Sequence, residues 1–192
     1  MLELLTPRLR LLAFTSESAA AAIADRARFG QLLSAAIPAD WPPIDLADVQ
    51  GAIAAKLAAN PTTTGWCGWY VIAKPGIVGP EPTLIGSTGC GSWRASPTLL
   101  FGYGLLPAYF RQGFATEAAR AMIEWAFGQP GVTRVEATTF ERHIASVKIL
   151  ERCGFVARGV SPDDVSAPES DRQGRGRLIH FVCESPLPSS TA

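Results

Sequence analysis

Apolar and polar positions sort the chain into short segments, and the first of them, Leu9 to Phe14, predicts a strand. Thr15-Ser16-Glu17-Ser18 supplies cap-type residues ahead of an alanine-rich run, which predicts a helix reaching Leu33. Pro38, Pro42 and Pro43 break the chain, and behind them Leu46, Val49, Ile53 and Leu57 recur at helical spacing, with Asp45 placed to cap a second helix. Trp66 to Ala73 is aromatic and β-branched and Leu84 to Trp93 is strand-like but punctuated by glycine, so the two predict a hairpin with a long loop.

Thr98 to Leu106 predicts a further strand, ended by Pro107. Beyond the turn at Arg111-Gln112-Gly113, a helix carries Ala115, Ala118, Ala119, Met122, Ile123 and Ala126 on one face. Arg134 to Thr139 reads as a strand, Ile144 to Cys153 as a helix stopped by Gly154, and Phe155 to Val160 as a strand, together a β-α-β unit. The polar run Ser161 to Arg177, with Asp163, Asp164, Arg172, Arg175 and Arg177, predicts a solvated loop before a last strand from Leu178 to Cys183. One domain over 1–185 with a loose tail over 186–192 is expected.

The strand, turn and helix around Arg111 form the chemically informative unit. Backbone amides of Gln112, Gly113, Phe114, Ala115 and Thr116 fall at the start of a helix, where N–H groups lack carbonyl partners within the helix and favour an anion such as phosphate. Gly113 and Ala115 let that anion approach the main chain, and Arg111 adds a charge. An ordinary strand-to-helix turn has the same spacing, so both readings stand at this level.

Composition narrows the partners. The chain has 192 residues, 47% hydrophobic and 18% charged, with 17 basic and 17 acidic side chains, so no net field draws it to nucleic acid or an anionic membrane. Cys67, Cys90, Cys153 and Cys183 form no C-x-x-C pair, and only His143 and His180 could complete a metal set, so no metal is expected. The opening residues lack the features of a signal peptide and no apolar run could span a bilayer, which makes the cytoplasm the expected location. G-x-x-x-x-G-K-[ST] and G-x-S-x-G are absent, and Gly102-Tyr103-Gly104 lacks the third glycine of a dinucleotide loop. These absences disfavour an ATPase, a serine hydrolase and a dehydrogenase.

The stretch Phe101-Gly-Tyr-Gly-Leu-Leu-Pro-Ala-Tyr-Phe-Arg-Gln-Gly-Phe-Ala-Thr-Glu-Ala118 resembles the acetyl-CoA motif of GNAT-superfamily N-acetyltransferases. Within it, Phe110-Arg-Gln-Gly-Phe-Ala115 falls on the [QR]-x-x-G-x-[GA] signature, and the following Thr-Glu-Ala is typical of the Rim-like branch, the ribosomal-protein N-terminal acetyltransferases and their relatives. Thr6-Pro-Arg-Leu-Arg-Leu11 resembles that branch's opening strand. His143-Ile-Ala-Ser-Val-Lys-Ile-Leu-Glu-Arg-Cys-Gly-Phe155 resembles its N-x-x-S-x-x-x-L-E-K-x-G-F helix.

The resemblance implies an α/β (α+β) fold: a mixed, mostly antiparallel seven-stranded sheet flanked by helices, with Thr98–Leu106 and Arg134–Thr139 splayed around acetyl-CoA. It puts the pyrophosphate on Arg111 to Thr116 beside Phe110, the pantetheine on the main chain of Leu105 and Leu106, and the thiol end along the helix from His143. A neutral primary amine, of a protein N-terminus or a small molecule, would attack the thioester directly. A backbone N–H near Leu106 is a candidate oxyanion donor, and Ser146 a candidate to hydrogen-bond or protonate the sulfur, although a serine in a first helical turn also serves as cap or packing. No nucleic acid or membrane is implied, and the protein would be a monomer or homodimer.

Three positions depart from the family pattern. The glutamate that many relatives carry just before the central G-Y is Leu100 here, the frequent acid tyrosine is Leu150, and the asparagine that commonly contacts pantetheine is His143. Glu136 on the next strand is the candidate base, facing either into the gap or away from it. His143 could relay a proton but matches a cofactor contact. Leu100 also suggests an alternative, a CoA-binding regulatory module without turnover. Trp41, Trp66, Cys67 and Trp69 could wall an acceptor pocket or fill the core.

Overall fold

The computed structural model describes residues 2–92, 98–160 and 176–185; the expected loop before Arg177, with Asp163, Asp164, Arg172 and Arg175, and the tail 186–192 lie outside them, as does Trp93. The strands are β1 (Glu3–Leu5), β2 (Leu9–Ala13), β3 (Trp69–Ala73), β4 (Thr83–Ser92), β5 (Thr98–Leu105), β6 (Arg134–Phe140), β7 (Val156–Val160) and β8 (Leu178–Glu184). The helices are α1 (Ser16–Ala24), α2 (Arg26–Leu33), α3 (Ile44–Ala47), α4 (Gln50–Ala59), α5 (Phe114–Phe127) and α6 (Ile144–Arg152). Hydrogen bonding orders the sheet β1-β2-β3-β4-β5-β6-β8-β7. The sheet is therefore eight-stranded rather than seven-stranded. The extra strand is β1, whose three residues are too few to show a side-chain alternation.

The chain divides into two compact units, Met1–Gly91 with Gly102–Met122, and Ser92–Phe101 with Ile123–Ala192. In the first, β1, β2, β3 and β4 pair antiparallel in chain order. Tyr70, Ile72, Leu84 and Leu12 present one sheet face to Phe29, Leu33, Trp41 and Leu57 from the helical segments. The alanine-rich run splits into α1 and α2 at Asp25, an extended residue whose N–H still bonds Ala21 while its carboxylate accepts from the Arg28 amide. A side chain able to cap a helix ends one and begins the next. Asp45 lies inside α3, whose cap position is Pro43, and Val49 separates α3 from α4, so the second helix is two.

Close backbone packing explains two glycines. A Cβ on Gly86 would stand 2.3 Å from the Gly104 carbonyl oxygen, and one on Gly68 would stand 2.6 Å from the Phe14 ring. β4 can lie against the second half of β5 only because Gly86 has no side chain.

In the second unit β6 pairs parallel with the start of β5 and antiparallel with β8, which in turn pairs antiparallel with β7. The β6-α6-β7 segment is therefore a crossover that leaves room for β8 between its two strands. Among the described residues the β5–β6 ladder has three pairs, Thr98–Arg134, Leu99–Val135 and Leu100–Glu136. Leu99, Val135, Ala137 and Phe181 are buried, Phe101 stacks on Phe155 with centroids 5.9 Å apart, and Gly154, at φ +86°, ends α6 as expected.

Candidate functional site

The strand-turn-helix of the first unit has an unusual backbone. Leu106 donates its N–H to the Ile85 carbonyl at 2.9 Å, and its own carbonyl accepts from Tyr109 at 3.0 Å. Both main-chain groups of Leu106 serve the chain itself, so its N–H is turned to β4 and is not the one aimed at a ligand. Peptide groups alternate along a strand, which directs the Leu105 N–H and carbonyl to the side away from β4.

After a 3₁₀ turn at Pro107–Tyr109, Arg111 (φ 62°) and Gly113 (φ 83°) both take left-handed conformations. The first costs a non-glycine residue about 1 kcal/mol, strain that accumulates at ligand-binding turns. The α5 ladder then opens with the Glu117 amide bonded to the Gly113 carbonyl at 3.1 Å, which leaves the amides of Phe114 and Ala115 at the helix mouth without a carbonyl inside the helix. Phe114 is buried under α5, whereas Phe110, Arg111, Gln112 and Gly113 are exposed. The Gln112 amide side chain folds back onto the Ala108 carbonyl at 3.1 Å.

The opening segment of the chain closes over this turn. Glu117 accepts hydrogen bonds from Thr6 Oγ1 (2.6 Å), the Arg8 amide (2.9 Å) and Arg8 Nε (2.6 Å). Arg8 also donates Nη1 to the Gln112 carbonyl at 2.9 Å, and its guanidinium carbon stands 4.5 Å above the Phe114 ring centroid. Burial raises the Glu117 pKa, and the hydrogen bonds from Thr6 and Arg8 with the Arg8 charge outweigh it, so the carboxyl ends below its ordinary value. Both blocks, Thr6 to Leu11 and Ala115 to Ala118, stand out in the sequence, but nothing local to either assigns Thr6, Arg8 or Glu117 a role. The partners lie 109 to 111 positions apart, and no local pattern joins them.

In the second unit Glu136 alternates with the buried Val135 and Ala137 and so lies on the opposite face of β6. Its Oε2 is 3.0 Å from His180 Nε2 on β8, and its Oε1 is 2.9 Å from Arg134 Nε. The Arg134 contact is a charge pair whose angle is poor for a hydrogen bond, since that nitrogen has no hydrogen-bond partner. His143 is exposed and precedes α6, making no side-chain cap to it, while Ser146 is half-buried in the first turn of α6.

The aromatic residues near the prolyl break belong to the core. Trp41 is 7% exposed and packs on Phe29 and Tyr70 at centroid separations of 6.1 and 6.0 Å, and Trp69 is fully buried with Nε1 bonded to the Gly65 carbonyl. Beside Trp41 a recess of about 10 Å³, lined by Phe14, Ala19, Leu46, Ile53 and Tyr70, has room for one water. Among the described residues no group of three His, Cys, Asp or Glu could hold a metal ion, and no helix is long and apolar enough to cross a membrane.

Residues 8–156 match the acetyltransferase (GNAT) domain family. The chain is 26% identical over 118 residues to the uncharacterized N-acetyltransferase YjdG of Bacillus subtilis, 61% of this chain and 67% of that protein. Further curated relatives are matched over 33% to 50% of their own length. In fold it is similar to the ribosomal-protein-S5-alanine acetyltransferase of Vibrio fischeri (TM-score 0.64, 17% identity, 98% of this chain and 100% of that one). It is likewise similar to Mycobacterium smegmatis RimJ in complex with CoA-disulfide (TM-score 0.61, 19% identity, 95% and 85%). With the family match spanning most of its length, from Arg8 on the opening strand to Val156, the chain belongs to the GNAT acetyltransferase family.

Proposed function

We propose that this protein is an N-acetyltransferase of the Rim-like type that moves an acetyl group from acetyl-CoA to a primary amine by direct attack on the thioester. The observation that carries the reading is the turn at Arg111–Gly113, with two left-handed residues and the mouth of a 14-residue helix behind it. Such a turn fits a diphosphate. Helix-dipole attraction alone is worth about 0.3–2 kcal/mol, so the amides from Gln112 to Thr116 and the Arg111 guanidinium act together. Relatives in fold include RimJ, solved with CoA-disulfide, which supports coenzyme A as the ligand of this turn.

Acetyl-CoA supplies the activated acetyl group. The Leu105 main chain, directed away from β4, pairs with the pantetheine and is the candidate oxyanion donor in place of Leu106. His143 contacts the pantetheine arm, and Ser146 hydrogen-bonds or protonates the departing sulfur. Glu136 takes the amine proton, directly or through a water. Protein N-termini and small-molecule amines are both candidate acceptors, and the likeness in fold to a ribosomal-protein-S5-alanine acetyltransferase makes ribosomal N-termini the first class to try.

The test is to incubate the protein with acetyl-CoA and a panel of amines and N-terminal peptides while following free thiol. Acceptor-dependent release supports transfer. Leu100 favours a second reading, a CoA-responsive module, and CoA-induced thermal stabilisation without release would select it. Gly113→Glu forces a non-glycine residue to φ 83° and sets its Cβ 3.3 Å from Arg8 Nη2, so it should distort the turn and weaken CoA binding; unchanged affinity would remove the turn from the reading.

A further inference from the structure

The side chains that close over the Arg111–Gly113 turn come from the other end of the sequence, and their geometry fixes one peptide group in it. Arg8 donates Nη1 to the carbonyl of Gln112. A trans peptide unit is planar, and its C=O and N–H point in opposite directions. Holding the Gln112 oxygen toward Arg8 therefore aims the Gly113 N–H the other way, out of the turn. Left to itself, the peptide joining Gln112 to a glycine can flip at little cost, because glycine accepts either hand.

Arg8 is itself fixed by Glu117, which takes Nε at 2.6 Å and the Arg8 amide at 2.9 Å while also accepting from Thr6 Oγ1. Glu117 lies in the first turn of α5, so the guanidinium is tied to the helix whose mouth it serves. Phe114 lies beneath the guanidinium as a floor. The positive charge of Arg8 is matched by the carboxylate, so its contribution to anion binding is directional rather than a matter of net charge.

We propose that Arg8 is a positioning residue for the diphosphate-binding turn: through the Gln112 carbonyl it presets the Gly113 N–H toward the ligand, with Thr6 and Glu117 holding it in place. This rests on the reading of the turn as the coenzyme A site and adds to it a residue more than a hundred positions away, on the segment leading into β2. Lysine cannot replace it fully, since an ammonium lacks the planar fork that reaches Glu117 and the Gln112 carbonyl together.

The experiment measures CoA affinity by calorimetry and the Gly113 amide by nitrogen–proton NMR in wild type, Arg8→Met, Arg8→Lys and Glu117→Gln. In Arg8→Met the Kd for CoA should rise about tenfold, the scale of one well-placed charge-assisted hydrogen bond. Its Gly113 amide resonance, displaced downfield by CoA in wild type, should move by less than half as much. Arg8→Lys and Glu117→Gln should fall between the two. Thermal unfolding of each free variant identifies a general loss of fold, which would shift many resonances without ligand. CoA binding as tight in Arg8→Met as in wild type, or weakened binding with a full Gly113 displacement, overturns the proposal. A wild-type protein with no CoA affinity overturns the reading of the turn as well.

Discussion

Leu100 stands directly opposite Glu136 in the parallel ladder between β5 and β6. Residues paired across adjacent strands share a sheet face, so the carboxylate absent at Leu100 is present one strand over. Replacement of Glu136 by Gln keeps the shape and removes the proposed base. The expected outcome is a fall in kcat of at least about a hundredfold, with KM for acetyl-CoA within about twofold, read in the thiol-release assay. Full kcat in Glu136→Gln would return the proton to a water or another group.

Glu117 gives a pH signature. Its carboxyl titrates below its ordinary value of 4.5 in the folded chain, so its ionised form stabilises the fold above that pH, and the contribution is lost as the pH falls through the lowered pKa. The gap in urea midpoint between wild type and Glu117→Gln should be widest near neutrality and shrink as the pH is taken below 4.5. A gap that widens on acidification would show that the carboxylate is not held by Thr6 and Arg8.

Gly86→Ala probes the close approach of β4 to β5. Its Cβ would meet the Gly104 carbonyl oxygen at 2.3 Å and Leu105 Cα at 2.9 Å, both backbone atoms that cannot swing aside. A loss of about 1–3 kcal/mol is expected by chemical denaturation, accompanied by weaker CoA binding because Leu105 moves. Wild-type stability would mean that the two strands are farther apart than the structure has them.

Cysteine accessibility bears on the assay itself. Cys90 is buried to 1% exposure and burial pushes its thiol up to about 12, so it is both hidden and protonated near neutral pH. Iodoacetamide at about pH 8 should leave Cys90 unmodified in the native protein and alkylate it in urea, as peptide mapping would report. Alkylation of Cys90 under native conditions would contradict its position in β4. The half-buried Cys67 and Cys153 set the thiol background against which CoA release is read.

Much of the molecule was legible in its sequence, and the exceptions have physical causes. Strands β2 to β8 and helix α5 follow from hydrophobic runs and turn residues, and Gly154 ends α6 where its spacing says. The break at Asp25 was not legible, because alanine periodicity continues through it while the aspartate side chain competes for the backbone. β1 was too short to show a period. At the candidate site, the motif from Phe110 to Thr116 announced the turn, and local sequence reasoning put the helix mouth in the right place. It did not show that the Leu106 N–H is already committed to Ile85, nor that Thr6 and Arg8 converge on Glu117, since both facts depend on which segments become neighbours.

If the turn holds the diphosphate, the convergence of Thr6 and Arg8 on Glu117 makes the segment leading into β2 part of the binding apparatus. Exopeptidase trimming as far as Leu9 would erase the brace while sparing every residue of the signature motif. Ligand affinity would then fall at least as far as in Arg8→Met, in a protein whose Phe110–Ala115 motif was intact, and a bulky fusion joined directly ahead of Thr6 would carry the same hazard.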